Sequence, residues 1–235
     1  MDKKQVILWI KRFIAYLVGM FLIAFGVNIA IKSQLGVSPV NAIPLVLSEQ
    51  WSALTMGTWV WIVFSLFVLV QLALLRKDFK WYYVFQFAVS AVFGWLVDGS
   101  ALLCNLLVPN VEPYLLRLLY ALISTVFIAV GILLYLEPNI MSMPGEGVTV
   151  AMTKVFDKPL STCKLIFDVT IVAIAAALSF LFFGRLEGVR EGTVIIAIGV
   201  GLVMKPIAKW IKKPIHTLIF GKEDGSASAK DGKGA

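Results

Sequence analysis

The chain has 235 residues, 60% of them hydrophobic and 15% charged, with a mean hydropathy of +0.90. A soluble domain is nearer ~45–50% apolar and ~25% charged, so a water-soluble fold is excluded and a membrane-embedded one expected. The net charge of +7 is uneven: four of the 21 Lys/Arg lie in the first twelve residues and seven from Lys205 onward. These basic residues flank apolar runs, which points to orientation in a bilayer rather than to nucleic-acid binding.

A bilayer core takes about 20 apolar residues per helix. Six runs are long enough, at roughly 10–31, 57–75, 81–101, 114–136, 163–183 and 191–210. The first is too long for a signal-peptide core and has no small-residue cleavage site behind it, so it is expected to stay as a helix. Two further segments, 37–51 and 143–156, are amphipathic and too short or too polar to cross. In the first, Ser38 before Pro39 fits an N-cap followed by proline at the first helical position. In the second, Pro144 opens the helix and Glu146 lies in its first turn, where a carboxylate suits the helix dipole. From Lys205 to Phe220 prolines, basic and apolar residues alternate, which reads as an interfacial helix held by anionic lipid. The small, polar tail over 222–235 reads as disordered. The expected organisation is one membrane domain over 1–221.

The chain repeats itself at an offset of 105 residues. Arg12 recurs as Arg117, Gly26 as Gly131, Pro39 as Pro144 and Gly94 as Gly199. The copies run over about 8–100 and 113–205. With six spans and both short segments re-entrant, only Lys32, Arg117, Arg185 and Arg190 fall on the outer side, so the charge bias favours this topology with both termini cytoplasmic. Three spans per half place the halves in opposite orientations. The expected fold is therefore an all-α polytopic transmembrane bundle of six spans, two short re-entrant helices and an inverted repeat, the sequence signature of a secondary transporter.

A polar group within a span is costly unless satisfied, so each is a candidate site residue. The candidates for substrate binding are Asn28 and Gln34 around the end of the first span, Ser38 and Asn41 at the first short helix, and Glu146 and Thr149 in the second. Those for ion or proton coupling are Glu146, Asp168 and Glu191. Glu146 is flanked by glycines, which let a ligand approach the backbone closely. Its burial would raise its pKa, and simple capping is its other available role. Asn41 stands at the position equivalent to Glu146 in the repeat. Asp168 lies one turn from Lys164, where an ordinary i, i+4 ion pair competes with a cation site. Glu191, beside Arg190, is also placed to cap the last span. Asp98, near the outer end of its helix, reads as solvated. The N-termini opened by Pro39 and Pro144 offer unpaired N–H groups suited to a carboxylate or phosphate. Cys104 and Cys163 lie in different spans without metal-ligand spacing. No H-E-x-x-H, Walker loop, G-x-S-x-G or paired intramembrane aspartates occur, and the single histidine, His216, lies in the basic segment. Neither a metal, a cofactor, an enzyme nor an ATP-driven pump is expected.

The segment Leu35-Gly36-Val37-Ser38-Pro39, followed by Leu54-Thr55-Met56-Gly57-Thr58-Trp59 and by the stretch from Gly94 to Asp98, resembles the YczE/YyaS/YitT group of bacterial integral membrane proteins. The likeness covers Phe13 to about Lys205, more weakly in the second half. After the first turn the chain has Pro39-Val40-Asn41 where the group commonly has Pro-Trp-Asp. The resemblance implies a bacterial inner-membrane protein, suspected of transport, with no substrate or catalytic residue to carry over. The expected function is alternating-access transport of a small anionic or zwitterionic metabolite. The alternative is a non-transporting membrane scaffold or regulator that assists a neighbouring complex. A homodimer is left open.

Overall fold

The computed structural model describes residues 3–220; the expected tail from 222 to 235 lies outside them. Eight α-helices follow in order: α1 (Lys3–Ser33), α2 (Pro39–Gln50), α3 (Met56–Leu75), α4 (Gln86–Leu107), α5 (Tyr114–Leu136), α6 (Pro144–Phe156), α7 (Leu160–Phe183) and α8 (Glu191–Phe220), with two short 3-10 turns between α3 and α4. Among the described residues, six helices are long and apolar enough to cross a membrane. The other two are α2, with 12 residues, and α6, with 13. At 1.5 Å per residue they reach only ~18 and ~20 Å, against a hydrocarbon core ~30 Å thick. The chain is thus a multi-pass membrane protein with two short helices set among six spans, as the run lengths led one to expect. The segment 205–220 is not a separate helix. It continues the sixth span, and neither Pro206 nor Pro214 ends α8.

Large apolar side chains face outward along the spans. Leu66, Leu106, Leu115, Leu181 and Leu202 are all exposed. On a water-soluble protein such a surface would drive association; here lipid covers it.

Lipid is as apolar as leucine, so the spans are held together by close packing and hydrogen bonds rather than by hydrophobic drive. Small residues set the crossings. α1 and α5 run antiparallel with Gly19 against Tyr135 and Gly131, and Gly26 against Ser124 and Ile128. A Cβ on Gly131 would come within 2.7 Å of the Gly19 carbonyl oxygen, so both backbones need glycine here. Asn28 ties α1 to α4: its Nδ2 donates to the Val97 carbonyl and to Ser100 Oγ, both at 2.8 Å. α8 packs on α5, and α2 and α6 both lie against α3 and α7.

Asp98 is not merely solvated. Its Oδ1 accepts from the Gly57 N–H at 2.8 Å and its Oδ2 from the Thr55 hydroxyl at 2.6 Å. Thr55 itself caps α3 by accepting from the Thr58 N–H at 3.1 Å. A carboxylate from α4 therefore neutralises the N-terminal dipole of α3. This accounts physically for the Leu54–Trp59 element: threonine caps, and glycine lets α4 approach.

Candidate functional site

Two extended connections dip into the bundle before α2 and α6 begin. Leu35 and Val37 in the first, and Met143 in the second, are buried. Buried backbone carbonyls need partners, and both connections find them on segments distant in the chain. The Gly192 N–H donates to the Leu35 carbonyl at 2.8 Å and Arg190 donates to that of Gln34 at 3.3 Å. In the second, Arg12 Nη2 donates to the Pro138 carbonyl at 2.6 Å and the Tyr16 hydroxyl to that of Met141 at 3.0 Å. The short helices then run back outward. In α2 the buried residues end at Val46 and Glu49 is exposed; in α6 they end at Ala151 and Lys154 is exposed.

The two N-termini meet inside the bundle. Gly145 faces Val40 so closely that a Cβ there would lie 3.2 Å from Val40 Cγ1. Both border one cavity of about 140 Å³, with Ser38, Asn41, Gly145 and Glu146 on its wall beside Lys164 and Asp168 of α7. The rest of the wall is mainly apolar, with Phe64, Phe93 and Ile128 among its residues.

The polar groups on this wall fall into two sets. Among the acceptors, Asn41 is buried; its Nδ2 donates to Ser38 Oγ at 2.9 Å, but its Oδ1 has no partner. Pro44, within α2, has no N–H to offer the Val40 carbonyl. Glu146 Oε2 accepts from the Met143 N–H at 3.2 Å, closing the first turn of α6. Glu146 lies deep in the protein yet keeps accessible surface, because it borders the cavity. It sits outside the six spans, and burial pushes its carboxyl up to about 7, against the opposing pull of the Met143 N–H and of Lys164. Lys164 is engaged by Asp168 Oδ1 at 2.5 Å. Among the donors, the Asn41 and Gly147 amides are used by the Ser38 and Met143 carbonyls. The Val40 and Gly145 amides are further first-turn donors on residues that border the cavity.

Of the residues singled out from the sequence, Ser38, Asn41, Glu146 and Asp168 share this wall. Asn28, Gln34, Thr149 and Glu191 lie apart from it. Asn28 is the strut between α1 and α4. Gln34 sits at the start of the first connection. Thr149 donates to the Gly145 carbonyl at 3.0 Å within its own helix. Glu191 is exposed in the first turn of α8. Gln71 carries a part that the sequence reading did not assign. Its Nε2 donates to Gln86 Oε1 at 2.8 Å and to the Pro144 carbonyl at 3.2 Å, and Gly147 packs on its side chain. Gln71 thereby fixes the start of α6. The signal was present, since Gln71 is the one amide in α3, whose other polar side chains are only the hydroxyls of Thr58 and Ser65.

The chain belongs to a family of unknown function, DUF6198, whose model matches residues 10–209. It is also 25% identical, over 178 residues that make up 74% of this chain and 82% of the relative, to the uncharacterized protein YyaS of Bacillus subtilis (strain 168). Both findings agree with the resemblance carried by the Leu35–Pro39 turn. No solved structure matches the chain.

Proposed function

We propose that this member of the DUF6198 family is a secondary transporter that moves a small zwitterionic or anionic metabolite by alternating access. One observation carries the reading: two half-helix N-termini converge on a single cavity that also holds Glu146 and the unpartnered Oδ1 of Asn41. Discontinuous helices whose N-termini point at a mid-membrane site are how transporters bind anionic groups without a fixed cation. The Val40 and Gly145 amides receive the carboxylate or phosphate of the ligand. Glu146, Asn41 Oδ1 and the Val40 carbonyl receive an ammonium group. A dry cavity of ~150 Å³ admits a molecule the size of benzene, so the 140 Å³ here favours a ligand of similar bulk. A scaffold would have side chains filling the space between Asn41 and Glu146, and the open cavity argues against it.

The reading takes the 105-residue repeat as an inverted one, α1–α4 against α5–α8, in a bacterial inner membrane with both termini cytoplasmic. The basic continuation of α8 then lies at the anionic inner leaflet. Cysteine labelling in intact cells tests the orientation. A cysteine at Asn110 is expected to react with an impermeant reagent from outside, and one at Asp78 only after permeabilisation. Labelling of Asp78→Cys in intact cells would overturn the orientation.

Binding is tested by thermal shift of the purified protein against small amino acids, carboxylates and phosphate esters. A ligand at 100 times its Kd stabilises by about 2.7 kcal/mol. Asn41→Ala removes one acceptor and is expected to weaken binding about tenfold, in line with ~1–1.5 kcal/mol for one hydrogen bond. If no zwitterion or anion shifts the wild type, or if one binds Asn41→Ala as tightly, this cavity is not the binding site.

A further inference from the structure

We propose that two pockets at opposite ends of the bundle are one structural element built twice, and that they are the two mouths of the central cavity. The pocket at the end where α1 finishes has a volume of about 480 Å³ and is walled by the first connection, the outer turns of α2 and the loop between α7 and α8. The pocket at the other end, about 260 Å³, is walled by the second connection, the outer turns of α6 and the turns between α3 and α4. Their residues correspond at the offset of the sequence repeat. Gln34 in one stands where Asn139 stands in the other, and Glu49 where Lys154 stands. Gln34 and Asn139 also share a conformation that side chains rarely adopt, φ 55° and φ 49°. Each turns its connection inward towards its short helix.

The central cavity obeys the same offset, with Ile23 paired with Ile128 and Asn41 with Glu146. Each short helix therefore borders one pocket with its outer turns and the cavity with its first turn, so α2 and α6 each run from a pocket at one end of the bundle to the cavity in the middle. The mouths differ in width for a reason visible in the sequence. Gly36 and Gly188, which line the larger pocket without side chains, correspond to Met141 and Tyr83, which line the smaller.

The assignment as mouths rests on the transport reading, but its test needs no substrate. In a background with Cys104→Ser and Cys163→Ser, single cysteines are placed at Glu49 and Lys154, both exposed, and at Ser38 on the cavity wall. Ile128→Cys, also on that wall, is the reporter if Ser38→Cys does not fold. Each is exposed to an impermeant methanethiosulfonate from one face, in right-side-out and in inside-out vesicles. Glu49→Cys and Lys154→Cys are expected to react from opposite faces. Blocking either with biotin-maleimide, in a double mutant with the reporter, is expected to abolish reaction of the cavity cysteine from that face. Reaction of both rim cysteines from the same face overturns the duplicated element. Opposite faces with undiminished reaction at the cavity overturn the mouths. A chain that passes both tests yet binds no ligand in the thermal-shift screen refutes the transport reading and leaves the paired pockets standing.

Discussion

Glu146→Gln is expected to abolish the pH dependence of ligand binding while leaving the protein folded. The carboxyl of Glu146 titrates near 7 rather than at its ordinary 4.5, because burial disfavours its charged form. Below pH 4.5 it is protonated in the folded and the unfolded chain alike. Between 4.5 and 7 the folded protein keeps a proton that the unfolded chain releases, so stability falls as pH rises, and above 7 the loss is complete. The loss amounts to about 3 kcal/mol, and glutamine removes that slope. Binding moves the other way for a ligand that brings an ammonium group. Its affinity for the wild type rises as the pH passes through 7 and Glu146 ionises. A hydrogen bond to a charged group contributes about 1.5–3 kcal/mol, which corresponds to a gain of roughly 13- to 160-fold. Glutamine cannot ionise, so the variant gives a flat profile. The other ionisable side chains around Glu146, those of Lys164, Asp168 and Tyr16, are all present in both proteins. Isothermal calorimetry on both proteins from pH 5 to 8 decides the matter. A wild-type profile in Glu146→Gln would reduce the carboxylate to the cap it forms on the Met143 N–H.

The spans were legible because their cause is local: a run of apolar residues either matches the bilayer thickness or falls short of it. The same arithmetic separates α2 and α6 from the six spans without any tertiary contact. The starts of those two helices were legible too, since proline at the first helical position carries its own backbone chemistry. The fate of each polar side chain was not. Asn28 near the end of the first apolar run and Asn41 in the first turn of α2 are both amides, yet one meets the backbone of α4 and the other faces a cavity. Which of these happens is set by the rotation of a helix against a neighbour distant in the chain. Asp98 shows the same limit from the other side. Its role as the cap of α3 depends on Gly57 and Gly94, 37 residues apart, bringing two backbones into contact. Lys164 was legible as a partner for Asp168 at i, i+4 spacing; that the pair borders the same cavity as Glu146 was not.

Gly57→Ala is expected to be among the most damaging single-atom additions to this chain, and Gly99→Ala to be harmless. A methyl on Gly57 would run into the Gly94 carbonyl oxygen and lie 2.6 Å from the carboxylate of Asp98. The obstruction is backbone, which cannot rotate aside as a flexible side-chain end could. α3 and α4 would have to separate, and with them the bond from the Gly57 N–H to Asp98 that caps α3. Overpacking of this kind costs about 1–3 kcal/mol and loss of a cap about 0.5–2 kcal/mol, so a total of roughly 2–5 kcal/mol is expected. Gly99 lies on the same α4, with nothing within 4 Å of the position its Cβ would take. Alanine there trades a flexible residue for a better helix former and is expected to be neutral or to stabilise by up to ~1 kcal/mol. Thermal unfolding of the two variants in one detergent separates the effects, since both make the same chemical change. If Gly57→Ala melts alongside Gly99→Ala, then α3 and α4 do not cross in backbone contact, and the Thr55–Gly57–Asp98 arrangement does not hold the start of α3.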